Sequence, residues 1–208
     1  MKKTIDFEEK IEEFWKYLKE DNIEIYNEFS LQFELGIFLR KILSEDGYKV
    51  QFERNVTFFD IKKTETTKHE MDIVVFNGDS PKNCTEKYAI ELKYPRNGQY
   101  PEQMYNFVKD IVFMEELKAQ GFDDTYVITV VDDSKFYNGK CEKNDEIYKL
   151  FRCSQNHEIS GEIKKPTGKG KEKVSLKIKG TYKVAWKDIG VKSDRGNPLK
   201  YYLLKIKI

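Results

Sequence analysis

The segment YAIELKYP, residues 88–95, decides how this chain is read. Its apolar residues suit a half-buried β-strand, yet Glu91 and Lys93 sit two apart in it, with Leu92 between them. Residues i and i+2 of a strand point to the same face, so an acid and a base protrude side by side among core residues. One reading is a solvated ion pair, which contributes little to stability. The other is a site for a metal ion and a phosphate, and the surrounding sequence decides how far that reading goes.

Working outward, MDIVVF at 71–76 and YKVQFERNV at 48–56 are strand-like, and the polar stretches around 61–70 and 77–86 read as loops. Upstream, 4–20 carries Phe7, Ile11, Phe14, Trp15 and Leu18 at helical spacing, with Thr4 as the expected cap. A second helical pattern over 27–44 has the stripe Leu31, Leu35, Phe38, Leu39 and Ile42, and Gly47 suits the turn into the next strand. Downstream, 100–120 is helical, with Pro101 near its start and Gly121 after its end. TYVITVV at 125–131 is apolar throughout, as a strand buried on both faces should be, and 144–151 suits a short helix. This order predicts a mixed α/β sheet with helices packed on it. After a Gly/Lys/Pro loop at 164–173, VSLKIKG, TYKVAW and LKYYLLKIKI alternate apolar and basic residues, which predicts a small antiparallel β extension. Its Tyr182 and Trp186 alternate in phase with Val184 and read as core. The expected units are therefore an N-terminal helix over 1–26, a core over 27–152 and a basic β-rich extension over 153–208.

With 208 residues and 14 Phe, 13 Tyr and 2 Trp, the chain has the means to bury a full core. No apolar run approaches the roughly 18 residues of a membrane span, and the N-terminus turns acidic before any apolar segment. Three widely spaced cysteines suit a reducing cytoplasm, and Cys141, Cys153 and His157 match no paired-ligand zinc spacing. All three cysteines read as isolated structural thiols. The net charge of +1 conceals an asymmetry: residues 161–208 hold 14 Lys/Arg against 4 Asp/Glu, and residues 1–160 hold 23 against 32. A basic tail on an acidic body suits a polyanion, or else a solubilising lysine face. No P-loop or dinucleotide fingerprint points to ATP or NAD chemistry.

Three acids stand where burial is expected: Asp72 at the head of its strand, Glu91 in the next, and Glu34 beside the stripe of the second helix. Converging acids repel one another and demand a cation, and oxygen ligands select Mg²⁺ or Mn²⁺. Lys93 adds a donor able to hold a phosphate oxygen or orient a water. Such groups are what phosphodiester hydrolysis needs.

Glu34 on a helix, then Asp72, then Glu91-Leu92-Lys93 resembles the PD-(D/E)XK nuclease superfamily, whose fold is restriction-endonuclease-like. The likeness covers roughly 27–131. It implies that Asp72 and Glu91 bind the divalent ion, that Lys93 assists the attacking water and that Glu34 completes the metal site. Gln103, followed four residues on by Phe107, resembles a site glutamine of the exonuclease-type members. The pattern departs from the family at Met71, where a proline often precedes the Asp. Glu28 rivals Glu34, and Glu70 rivals Asp72. The E-x-K spacing also occurs at Glu8/Lys10, Glu116/Lys118 and Glu162/Lys164, but only Glu91/Lys93 lies in an apolar strand after an acidic strand and before a helix. A weaker strand-like candidate is Asp60–Lys62. The expectation is a cytoplasmic, Mg²⁺-dependent nuclease acting on DNA, with Lys164, Lys165, Lys169, Lys171 and Lys173 contacting phosphates. A homodimer would bring the two sites that double-strand cleavage needs. The alternatives are a non-catalytic nucleic-acid-binding or a protein-interaction member of the same fold.

Overall fold

The structure, a computed structural model, describes residues 5–61, 68–80, 83–141, 146–153, 157–168 and 174–208. Helix α1 (Phe7–Glu20) buries Phe7, Ile11, Phe14, Trp15 and Leu18 on one stripe. Its cap is Asp6, whose side chain accepts from the backbone N–H of Glu8 and Glu9; Thr4, the expected cap, lies outside the described residues. Helix α2 (Glu28–Leu43) starts at a reciprocal capping box between Asn27 and Ser30, which satisfies two otherwise orphaned groups and fixes where Glu28 stands. Gly47, with φ 78°, makes the turn into the first strand.

Six strands form the central sheet in the order β1 (Tyr48–Asn55), β2 (Glu70–Asn77), β3 (Lys87–Lys93), β4 (Asp124–Val131), β8 (Pro198–Lys205) and β7 (Lys187–Lys192). The sheet is mixed: β3 pairs antiparallel with β2 and parallel with β4. Helix α3 (Tyr100–Ala119) makes the β3–β4 crossover, as a parallel pair requires. It covers one face through Phe107, Val108, Ile111 and Met114, packed on Val74, Ala89 and Val127. Helices α1 and α2 cover the other face, over Ile73, Val75, Ile90 and Ile128. All eight residues of β4 are buried, as its apolar run predicts.

The C-terminal segment expected as one extension over 153–208 divides in two. Strands β5 (Ile159–Lys164) and β6 (Ser175–Tyr182) form a separate two-stranded sheet after the short helix α4 (Glu146–Arg152). Strands β7 and β8 instead complete the central sheet on the edge of β4. The physical reason lies in β8. Leu199 and Tyr201 face the α1 side and Tyr202, Leu204 and Ile206 face the α3 side, so this stretch has apolar residues for two faces. Pairing with it also satisfies the backbone groups of β4, which is too deeply buried to leave an open edge. In β6, Ile178 is buried and Leu176 is half-buried against the core, while Val174, just ahead of the strand, is exposed.

Of the two residues expected as core, one is buried and the other half-buried against it. Tyr182 is buried, and Trp186 packs edge-on to Tyr202 with its indole N–H donating to the Phe151 carbonyl at 2.9 Å. Glu115 of α3 fastens β6 to the body: it accepts from the N–H of Lys179 and Gly180 and from the Tyr182 hydroxyl at 2.7–3.1 Å. The cysteine expectation is corrected. Cys141 and Cys153, twelve residues apart, form a disulfide that joins the segment before α4 to its C-terminus, and only Cys84 is a free thiol. Nothing in the spacing of the two cysteines announces the pairing. None of the described helices is long and apolar enough to cross a membrane.

Candidate active site

Strand pairing brings the two strand acids together. The β2–β3 ladder ends at Ile73↔Ile90, one step before Asp72 and Glu91 would face each other. Both side chains share strand parity with residues packed under α3, namely Val74 and Ala89. Asp72 is lodged against β3, its Oδ2 accepting from the Leu92 N–H at 2.7 Å. Its backbone carbonyl accepts from Gln32 Nε2 at 2.7 Å, and the same Nε2 donates to Glu53 Oε1 at 2.5 Å. Glu53 leaves the regular strand conformation here, with φ 47°, a backbone region that costs a non-glycine residue energy. Asp72 is 8% exposed, whereas its rival Glu70 is exposed to solvent. Burial therefore selects Asp72.

Glu91 is fully buried. Lys68, just ahead of β2, ion-pairs with Glu91 Oε1 and stands 4.0 Å from Asp72 Oδ1 and 3.5 Å from Asp110 Oδ1. Asp110 arrives from the middle of α3, in helical phase with Phe107 and Met114, so an acid interrupts the apolar face of that helix. Among the described residues, neither Glu91 Oε2 nor Asp110 Oδ2 receives a hydrogen bond. Buried carboxylate oxygens without donors are costly, and such atoms call for an explanation.

Lys93 lies at the end of β3, where its Nζ donates to Glu28 Oε1 at 2.9 Å. Glu28 Oε2 accepts from the Tyr94 N–H at 3.0 Å, so this carboxylate grips the end of the strand twice. Glu28, not Glu34, joins the site. At about 100° per residue, Glu34 is turned roughly 200° around the helix from Gln32, which touches Asp72. No described hydrogen bond or ion pair links Glu34 to the other acids. The sequence pattern favours Glu34 because it adjoins the apolar stripe, but the N-terminal end of α2 is what reaches the end of β3.

Gln103 stands on the first turns of α3, where its Nε2 donates to Asn97 Oδ1 at 3.0 Å. It shares a helix face with Asp110 but lies two turns away, roughly 10 Å along the axis, and no described contact ties it to the acids. Its neighbour Glu102 holds Lys165 at 3.4 Å and accepts from the Thr167 hydroxyl, which docks the end of β5 on the start of α3. Lys164 lies exposed beside a 250 Å³ cleft shared with Glu146, His157 and Glu162. Lys169, Lys171 and Lys173 lie outside the described residues, as does Lys62 of the weaker Asp60–Lys62 candidate.

The electrostatics follow from burial. Desolvation pushes the Asp72 carboxyl up to about 7, against the pull of Lys68 and the Leu92 N–H. Desolvation also raises Asp110, opposed by Lys93 and Lys68. For Lys93 burial acts downward, but Asp110 and Glu28 outweigh it and its pKa ends raised, so it is a firm ammonium at neutral pH. Four carboxylates (Glu28, Asp72, Glu91, Asp110) and two ammoniums (Lys68, Lys93) carry a formal charge of −2 when all are ionised. That deficit matches one divalent cation. Among the described residues no three His, Cys, Asp or Glu side chains are already drawn together as ligands of one ion; the Lys68 ammonium stands between them. The donor chemistry still fits a hard cation, because the acids around Lys68 keep buried carboxylate oxygens, Glu91 Oε2 and Asp110 Oδ2, that receive no hydrogen bond from the described residues. An open cleft of about 380 Å³, lined by Glu53, Asn55, Lys68, His69, Glu70 and Asp72, leads from solvent to this cluster.

Two of these residues escape a reading of the sequence. Asp110 has a signal, a charged residue amid an apolar helical stripe. Lys68 has none beyond sharing parity with Asp72 across a polar stretch. No protein-family model, curated protein or solved structure matches the chain.

Proposed function

We propose that this protein is a divalent-metal-dependent nuclease of restriction-endonuclease-like fold that hydrolyses phosphodiester bonds, with DNA as its substrate. The observation that carries the reading is the meeting of Asp72, Glu91 and Lys93 at one end of the sheet, in a cluster that carries a formal charge of −2 when all its groups are ionised. Asp72 and Glu91 would hold Mg²⁺ or Mn²⁺, and Glu28 takes the supporting place expected of Glu34. When bound, the ion supplies an activated water and charge to stabilise the phosphorane-like transition state.

The chain's own groups do the rest. Lys93, kept protonated and aimed by Glu28, donates to a phosphate oxygen or to the attacking water. The Leu92 N–H fixes the Asp72 carboxylate so that it need not reorganise during reaction. Gln32 anchors the Asp72 backbone to α2, which holds the two layers in register around the cleft. Lys164 and Lys165, on a hairpin docked against α3, lie on elements able to track a phosphate backbone, and such contacts weaken with salt.

The test is incubation with single- and double-stranded DNA and RNA in Mg²⁺ or Mn²⁺, using wild type beside Asp72→Ala and Lys93→Ala. Metal-dependent cutting by wild type and none by the variants is expected. No cutting by wild type, or equal cutting by the variants, overturns the proposal.

A further inference from the structure

We infer that Lys68 is a resident counter-ion standing in the place of the divalent cation, and that Asp110 is a third carboxylate of that cation's cradle. The inference rests on the metal-dependent reading above for the presence of an ion, and adds what that ion must displace. Lys68 Nζ touches Glu91 and lies 3.5 Å from Asp110 Oδ1 and 4.0 Å from Asp72 Oδ1, so one ammonium serves three buried acids. Even so, Glu91 Oε2 and Asp110 Oδ2 receive no hydrogen bond from the described residues. A single positive charge is too little for three carboxylates, whereas a divalent ion with several coordination places suits them.

Two cations cannot share this volume. Oxygens now 3.5–4.0 Å from the ammonium must close to roughly 2.1 Å around Mg²⁺, which leaves no room for Nζ between them. Lys68 has somewhere to go: it lines the 380 Å³ cleft that opens from the cluster to solvent. Its displacement puts a cation into the cleft where a phosphate would approach. Lys68 thus holds the acids in place without metal, weakens metal binding by competition, and is released toward the substrate once metal binds. Asp110, buried and roughly 10 Å along α3 from Gln103, joins the cradle from the helix side.

The experiment measures Mn²⁺ binding without nucleic acid. Isothermal titration of wild type, Lys68→Met, Lys68→Arg and Asp110→Asn, each checked for folding by circular dichroism, should show Lys68→Met binding Mn²⁺ at least about tenfold more tightly. Lys68→Arg, which keeps the competing charge, should stay near wild type, and Asp110→Asn should bind at least several-fold more weakly. A second readout uses wild type alone, so that it does not depend on any variant folding. Lys68 acylation by an amine-reactive ester, followed by peptide mass spectrometry, should rise several-fold when Mn²⁺ is added. Unchanged or weaker Mn²⁺ binding by Lys68→Met, unchanged binding by Asp110→Asn, or Lys68 labelling that does not rise with Mn²⁺ overturns the inference. Nucleic-acid cutting with Lys68 unmoved by Mn²⁺ refutes this inference alone. Displacement of Lys68 in a chain that cuts nothing refutes the nuclease reading alone.

Discussion

Replacing Asp72 by asparagine should make the metal-free protein more stable at neutral pH, and the gain should grow with pH. Burial raises this carboxyl from 3.8 to about 7. A raised acid binds its proton more tightly in the folded state, so its contribution is intact below about pH 4 and is lost as pH climbs through about 7. A span of roughly three units, at about 1.4 kcal/mol each, gives an upper bound of about 4 kcal/mol lost between those limits. The amide of Asp72→Asn resembles the neutral acid in shape and keeps an oxygen for the Leu92 N–H. Urea unfolding in EDTA should therefore show the variant within about 1 kcal/mol of wild type near pH 4 and ahead by about 2–4 kcal/mol at pH 8. Mg²⁺ should narrow that gap by stabilising wild type alone. Parallel stability curves, or a variant less stable than wild type at pH 8, would refute the reasoning that burial controls this carboxyl.

Other outcomes are open to the same kind of check. Glu28→Gln should lower the initial rate of DNA cleavage by about tenfold or more, since it removes the group that aims Lys93, while Glu34→Gln should leave the rate within about twofold of wild type. Glu115→Ala should cost on the order of 3 kcal/mol in chemical denaturation, because two part-buried N–H donors and a buried hydroxyl lose their acceptor at once. Reduction of Cys141–Cys153 should raise the thiol count in denaturant from one to three and lower stability by about 2–3 kcal/mol. Lys165→Ala should weaken nucleic-acid binding and reduce the slope of log affinity against log salt by about one; an unchanged slope removes this lysine from the interface.

Local pattern makes much of this chain legible. The stripes of α1 and α2, the apolar run of β4 and Pro101 at the start of α3 each name their element, because burial leaves a period in the sequence. Asp72, Glu91 and Lys93 are legible for the same reason: a charge inside a buried strand is conspicuous. What escapes depends on contacts distant in sequence. The choice of Glu28 over Glu34 turns on how α2 is rotated against the sheet, and capping geometry rather than the apolar stripe places Glu28 at the end of β3. Alternation alone puts β8 in a small C-terminal sheet, yet its apolar residues on both parities are those of a central strand. Lys68 sits in a polar stretch with no period, so only the fold shows that its ammonium lies among three acids.

The most direct test is cleavage of end-labelled DNA in Mg²⁺ by wild type and by Glu91→Gln, with circular dichroism showing both folded. Glu91 is the fully buried acid at the centre of the cluster, and Gln keeps its shape while removing its charge. The proposed site predicts cutting by wild type that EDTA abolishes, and a loss of at least about a hundredfold in the variant. A folded Glu91→Gln protein that cuts as fast as wild type, or a folded wild type that cuts no nucleic acid in either metal, would contradict it.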